Sequence, residues 1–158
     1  MAVDYFLKID GIEGESMDKT HGKEIQLESW SWGETNVGSM SAGGGGGAGK
    51  VAMQDFHFVM KVNKATPKLI GACATGQHIK SAILTCRKAG KEQQEYLKYT
   101  FSDLLISSYQ TGGSTEQPME QCSFNYTKME VAYKEQKPDG TLGGAITAWY
   151  DLKKQQAG

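Results

Sequence analysis

The first residues to test for chemistry are Gly44-x-x-x-x-Gly49-Lys50, six-sevenths of a phosphate-binding loop. Such a loop needs a Ser or Thr next to hold magnesium, a strand before it and a helix after it. Here Val51 follows, the preceding segment is polar, and the next residues alternate like a strand. With five successive glycines from Gly43 to Gly47 the spacing arises by composition. The three histidines, His21, His57 and His78, are scattered and form no H-E-x-x-H or other ligand pairing. Cys73, Cys86 and Cys122 show no C-x-x-C and read as inert, buried thiols of a reduced protein. The carboxylate pairs Asp18/Glu24 and Glu116/Glu120 flank polar loops and read as solvated charge. Asn125-Tyr126-Thr127 matches a glycosylation sequon, but it falls mid-strand and reads as accidental. No catalytic, cofactor or metal site is expected.

Trp30-Ser31-Trp32-Gly33 is more informative. Alternation along a strand sends both tryptophans to one face and Ser29 and Ser31 to the other. The tryptophans suit a core. The opposite, small and polar face suits a wall that meets water, a lumen or a cargo. Other strands carry polar second faces as well, including Gln26 and Glu28, Lys98, Thr100 and Ser102, and Ser123, Asn125 and Thr127.

The elements that must position these residues are mostly strands. Val3, Tyr5, Leu7 and Ile9 share one face while Asp4, Phe6 and Lys8 share the other, so residues 3–9 form a strand. A polar, turn-rich loop follows over 10–22. Over about 24–35 the apolar parity switches from Ile25 and Leu27 to Trp30 and Trp32, which predicts a bulge or a change of partner. Residues 36–50 cannot form a core and read as a long internal extension. Strands are expected over 51–62, 80–88, 94–109, 121–135 and 143–152, with a turn near 89–91 and a hairpin at Pro138-Asp139-Gly140. One helix is clear: Thr66 is expected to cap it, Pro67 to occupy its first helical position and Gly76 to end it. The fold class is therefore mainly β: an antiparallel barrel of seven to eight strands, one α-helix alongside, and an extended glycine-rich loop. It is expected to be a single domain over 1–158.

Composition sets the outer limits. The chain has 158 residues, 17 Lys+Arg against 18 Asp+Glu, and a net charge of −1, which argues against a dedicated nucleic-acid partner. Twenty glycines beside three prolines suit a sheet with many turns and bulges. No window approaches the ~18 apolar residues of a membrane span, so no membrane insertion is expected. The first residues lack a basic region and an apolar core, so no secretory signal peptide is expected.

The pieces together resemble a known family. Ala2-Val3-Asp4-Tyr5-Phe6-Leu7-Lys8-Ile9, Gly14-Glu15-Ser16, Asp18-Lys19-Thr20-His21, Trp30-Ser31-Trp32-Gly33, the Gly43–Gly49 loop into Lys50-Val51, Arg87-Lys88-Ala89-Gly90 and Ile106-Ser107-Ser108-Tyr109 are similar, in collinear order, to the haemolysin-coregulated protein (Hcp) family. The resemblance implies a structural, non-enzymatic subunit of the type VI secretion inner tube. It implies homohexameric rings that stack into a tube and carry small effector proteins in the channel. It further implies a VgrG-type spike and a contractile sheath as partners. The protein would be made in the cytoplasm of a Gram-negative bacterium and exported through the apparatus. Carried onto this chain, Ser31, with Ser29, would face the channel and contact effectors. The loop formed by Gly38, Ser39, Met40, Gly43, Gly44, Gly45, Gly46, Gly47, Gly49 and Lys50 would reach the adjacent ring. No fused toxin domain is expected. The alternatives are a tail-tube-like protein of another contractile particle and a monomeric ligand-binding barrel.

Overall fold

The computed structural model describes residues 3–38, 50–88, 94–116 and 118–158. In chain order these form β1 (Val3–Ile9), β2 (Ile25–Leu27), β3 (Ser29–Ser31), β4 (Glu34–Asn36), β5 (Val51–Met53), β6 (Phe56–Lys61), α1 (Thr66–Thr75), β7 (Ile79–Lys88), β8 (Gln94–Gly112), β9 (Met119–Gln136), β10 (Leu142–Asp151) and β11 (Gln156–Ala157). Every strand pair is antiparallel. The main sheet runs β11-β10-β9-β8-β7-β1-β2, with β6 also against β9 and β3 against β6, while β4 and β5 form a separate two-stranded ribbon. More strands form than the expected seven to eight. The region around 24–35 breaks into three short strands, 51–62 breaks into two, and the tail adds β11.

The expected barrel is present as a curled sheet whose ladder does not close. Its two ends, β2 and β3, are consecutive in the chain and separated by Glu28 alone. β2 pairs with β1, whereas β3 pairs with β6. At the changeover the Glu28 N–H donates to Val59 O at 2.8 Å. The switch of apolar parity at this point is thus a change of partner, which places one extra residue between the inward sets Ile25/Leu27 and Trp30/Trp32.

The interior is filled by aromatic rings. Phe56, Phe58, Phe101 and Phe124 are buried. Phe56 stands 5.1 Å from Phe101, 5.0 Å from Phe124 and 6.0 Å from Trp30, centroid to centroid. Offset and tilted contacts at such spacings add to simple burial. The helix lies alongside β8 and is seated by buried Leu69 and Ala72. Gly76 ends it in the left-handed conformation (φ 65°), its N–H bonding Ala72 O. Thr66 does not cap the helix; it is the first helical residue, after Ala65, so Pro67 takes the second position and not the first, where its missing N–H is equally unneeded. Its hydroxyl accepts from Asn63 N–H and donates to the Glu120 carboxylate, and Asn63 Oδ1 takes the Ala65 N–H at 2.7 Å. The turn expected near 89–91 lies outside the described residues. The hairpin at Pro138-Asp139-Gly140 forms as expected, with Gly140 at φ 89°.

Candidate functional site

Strand pairing extends the Ser29/Ser31 face across the sheet. Ser29 opposes Val59 and Ser31 opposes His57. Val59 in turn opposes Gln121, and His57 opposes Ser123. Gln121 then opposes Gln110, and Ser123 opposes Ser108. Two parallel rows therefore cross β3, β6, β9 and β8, around a shallow depression of about 410 Å³. Between them runs the inward row Trp30, Phe58, Cys122 and Tyr109. Ser29 and Ser31 are exposed while Trp30 and Trp32 are half-buried, as alternation requires. The Trp32 indole N–H donates to the Tyr126 hydroxyl, which donates to Gln54 O at 2.9 Å. Burial pushes the Tyr126 phenol up to about 12, against the opposing pull of the Trp32 bond.

The far end of this face is shaped by a bulge. The β8–β9 register shifts between Ile106 and Ser108, so Ser107 and Ser108 both reach the buried Ser123 hydroxyl. Ser107 also donates to Asp55 Oδ2 at 2.6 Å. The serines are bonded to one another and to a carboxylate, so they form a fixed hydroxyl cluster.

A second cluster lies over β1 and β7, and here the solvated-charge reading is corrected. Phe6, on the outward face of β1, is buried because the loop over 10–24 folds across it. His21 stacks on Phe6 at 4.7 Å and 10°, and the Arg87 guanidinium lies 4.8 Å from the same ring. Arg87, 3% exposed, makes a bidentate pair with Asp18 at 2.8 and 2.9 Å and reaches Asp4 at 3.2 Å. His21 Nδ1 meets Glu24 at 2.8 Å and Nε2 meets Glu95 at 2.5 Å. Asp18 and Glu24 are therefore partners in a buried network. Hydrogen bonds from Arg87, with help from the His21 and Thr20 N–H groups, hold the Asp18 carboxyl well below the usual carboxylate range. Gly14 allows the loop to close: a Cβ there would stand 2.6 Å from Glu24 O.

Glu120 also departs from the solvated reading. It is fully buried, with one carboxylate oxygen taking the Thr66 hydroxyl and the other unpartnered. Cys86 and Cys122 are buried, and desolvation pushes both thiols up to about 12. Among the described residues no three His, Cys, Asp or Glu side chains gather as metal ligands. Lys50 leads straight into β5 with no helix following, which removes the phosphate-loop reading. Gly38 and Lys50 are exposed; Ser39, Met40 and Gly43–Gly49, the core of the expected ring-contact loop, lie outside the described residues. Sequence reasoning found Ser29 and Ser31 but missed His57, Gln110, Gln121 and Ser108 as their companions. Phe56 and Phe58 face inward on β6 and His57 between them faces outward, but only register sets it beside Ser31.

A family model described as "Type VI secretion system effector, Hcp" matches residues 6–133. The chain belongs to the Hcp family. It is 49% identical over 158 residues to Protein hcp1 of Pseudomonas aeruginosa, with 98% of each chain covered. Among solved structures, this Hcp chain matches Hcp1 from Salmonella typhimurium with a TM-score of 0.83 at 37% identity, covering 99% of both. It matches a type six secretion system protein with a TM-score of 0.93 at 28% identity, covering 99% of this chain and 100% of that one. The mainly β, antiparallel architecture with a helix alongside is thus an Hcp architecture. Membership ties the chain to the type VI secretion system and to secretion by it. No helix among the described residues is long and apolar enough to cross a membrane.

Proposed function

We propose that this Hcp chain acts as one domain over 1–158 and is a structural subunit of the type VI inner tube. Six copies form a ring and rings stack. The tube works with a VgrG-type spike and a contractile sheath, and carries small effector proteins in its channel. It does so without catalysis and without a cofactor. Support comes from family membership, and from the exposure of Ser29 and Ser31 on a small, uncharged face backed by a packed aromatic interior. The same interior disfavours a ligand-binding barrel, which needs an apolar cavity where Phe56 and its neighbours stand. Ser29 and Ser31 face the channel in this reading, and the loop from Gly38 to Lys50 reaches the next ring. A small polar residue repeated six times leaves a wide, wet wall, and a larger one crowds it. Ser31→Gln is expected to leave ring mass unchanged and to lower the amount of effector recovered with the rings several-fold. Unchanged effector recovery would count against the channel assignment.

A further inference from the structure

We infer that the loop over 10–24 is a proton-locked strap: it is fastened over β1 while both ring nitrogens of His21 carry hydrogen, and it loosens when one of those hydrogens is lost. The tube reading makes no use of this part of the chain. Hydrogen count is the first basis. Nδ1 meets Glu24 and Nε2 meets Glu95, and an ionised carboxylate can only accept. A neutral imidazole has one N–H and one lone pair, so it satisfies one carboxylate and turns a lone pair on the other. The imidazolium satisfies both, through charge-assisted bonds. Because His21 is buried, a carboxylate left facing the lone pair is not simply handed back to water.

The second basis is how the strap is held and what it covers. Over 16–24 two side chains anchor it to the sheet. Asp18 is tied to Arg87 on β7, whose hydrogen bonds hold the carboxyl well below the usual carboxylate range, so this anchor is indifferent to pH near neutrality. The other anchor is His21 on Glu95 of β8, and imidazole is the side chain whose ordinary titration falls near neutrality. The charged groups packed around the ring are Asp18 and Glu24 from the strap, Asp4 from β1, Arg87 from β7 and Glu95 from β8. Exposed Lys8, Lys23 and Lys68 line the depression beside Glu24. Within the cluster the carboxylates outnumber the one guanidinium, so a second buried cation fits there. Closed, His21 lies flat on Phe6, which is buried on the outward side of β1. Loosened, the His21 end lifts from Phe6 while Asp18 remains as the hinge.

The test is hydrogen exchange, read by mass spectrometry on the purified full chain at about pH 5.5 and about pH 8.5, a span that brackets ordinary imidazole titration. The reporters are peptides over 16–24, where the Ser16, His21 and Lys23 amides bond within the strap. After correction for the intrinsic effect of pH on exchange, their protection should fall on the order of tenfold from the acid to the alkaline end. Peptides over 101–106 in β8 should not change. Glu95→Gln separates the proton from the contact, because the introduced amide can donate to a neutral Nε2 or accept from a protonated one. Strap protection in that variant should be high at both ends. Equal wild-type protection at both ends would overturn the inference, and so would a fall that survives in Glu95→Gln. If that variant does not fold, nitrogen NMR of the histidine-labelled wild type at about pH 5.5 decides. Two slowly exchanging ring N–H groups on His21 would support the lock; a single one would overturn it.

Discussion

Truncating Phe56 to alanine tests whether the sheet encloses a packed interior, on which the tube reading depends. Phe56 is fully buried and meets Trp30 from β3, Phe58 from its own strand, Phe101 from β8 and Phe124 from β9. Phe58, Phe101 and Phe124 belong to strands paired on both sides and Trp30 to a strand paired with β6, so they have little freedom to collapse into the space that the truncated side chain vacates. Phe→Ala substitutions in cores cost about 3–5 kcal/mol, rising with the cavity that persists. Because four rings are left facing a void and little relaxation is open to them, we expect the upper part of that range, about 4–5 kcal/mol. Set against a typical total of roughly 5–15 kcal/mol, that is a large share of the chain's stability. At roughly 2–4 °C per kcal/mol for a chain of this size, the midpoint should fall by about 8–20 °C. Urea unfolding at fixed, low protein concentration reads the change directly, because assembly makes apparent stability depend on concentration. The slope with denaturant should be unchanged, and the dry void left behind should bind a small apolar molecule such as benzene. A loss below about 1 kcal/mol at unchanged slope would refute the packed interior and return weight to a ligand-binding barrel.

Two further predictions concern charge and thiols. The folded Asp18 carboxyl is held below the ~3.9 of an unfolded aspartate, so its pairing with Arg87 stabilises fully above that value and the contribution fades as pH falls through the folded one. The difference in urea midpoint between wild type and Asp18→Asn should accordingly be widest near pH 6 and narrow by pH 2.5; a difference constant across that span would contradict the Arg87 pairing. For the thiols, Cys86 and Cys122 are buried and pushed up to about 12, whereas Cys73 on α1 is half-buried. A disulfide-exchange reagent at pH 8 should therefore titrate one thiol per folded chain and three after denaturation; three fast thiols in the folded protein would contradict the burial.

Local patterns in the sequence carried much of this fold. Alternation placed Phe6 outward on β1, the parity switch at Glu28 marked the change of partner, and Pro67 with Gly76 bounded the helix. What escaped was carried by contacts between distant residues. Asp18 looks solvated in a polar loop until Arg87, 69 residues later, is brought beneath it, and His21 finds Glu95 across 74 residues. Glu120 shares the inward parity of Cys122 and Phe124 on β9, but its charge makes it read as solvated; its partner, the Thr66 hydroxyl, comes from the helix start. The tail offered no pattern because β11 is only two residues, held by pairing to Tyr150 and Asp151. The candidate site divided the same way: Ser29 and Ser31 follow from one strand's alternation, while His57, Gln121 and Gln110 require the register of three ladders.

The central claim is a self-assembling tube subunit, and its mass in solution tests that most directly. Light scattering on the purified chain, with negative-stain imaging of the same fraction, is predicted to give about six times the 17.2 kDa of one chain and ring-shaped particles with a central hole. A clean monomer across a wide concentration range would contradict it.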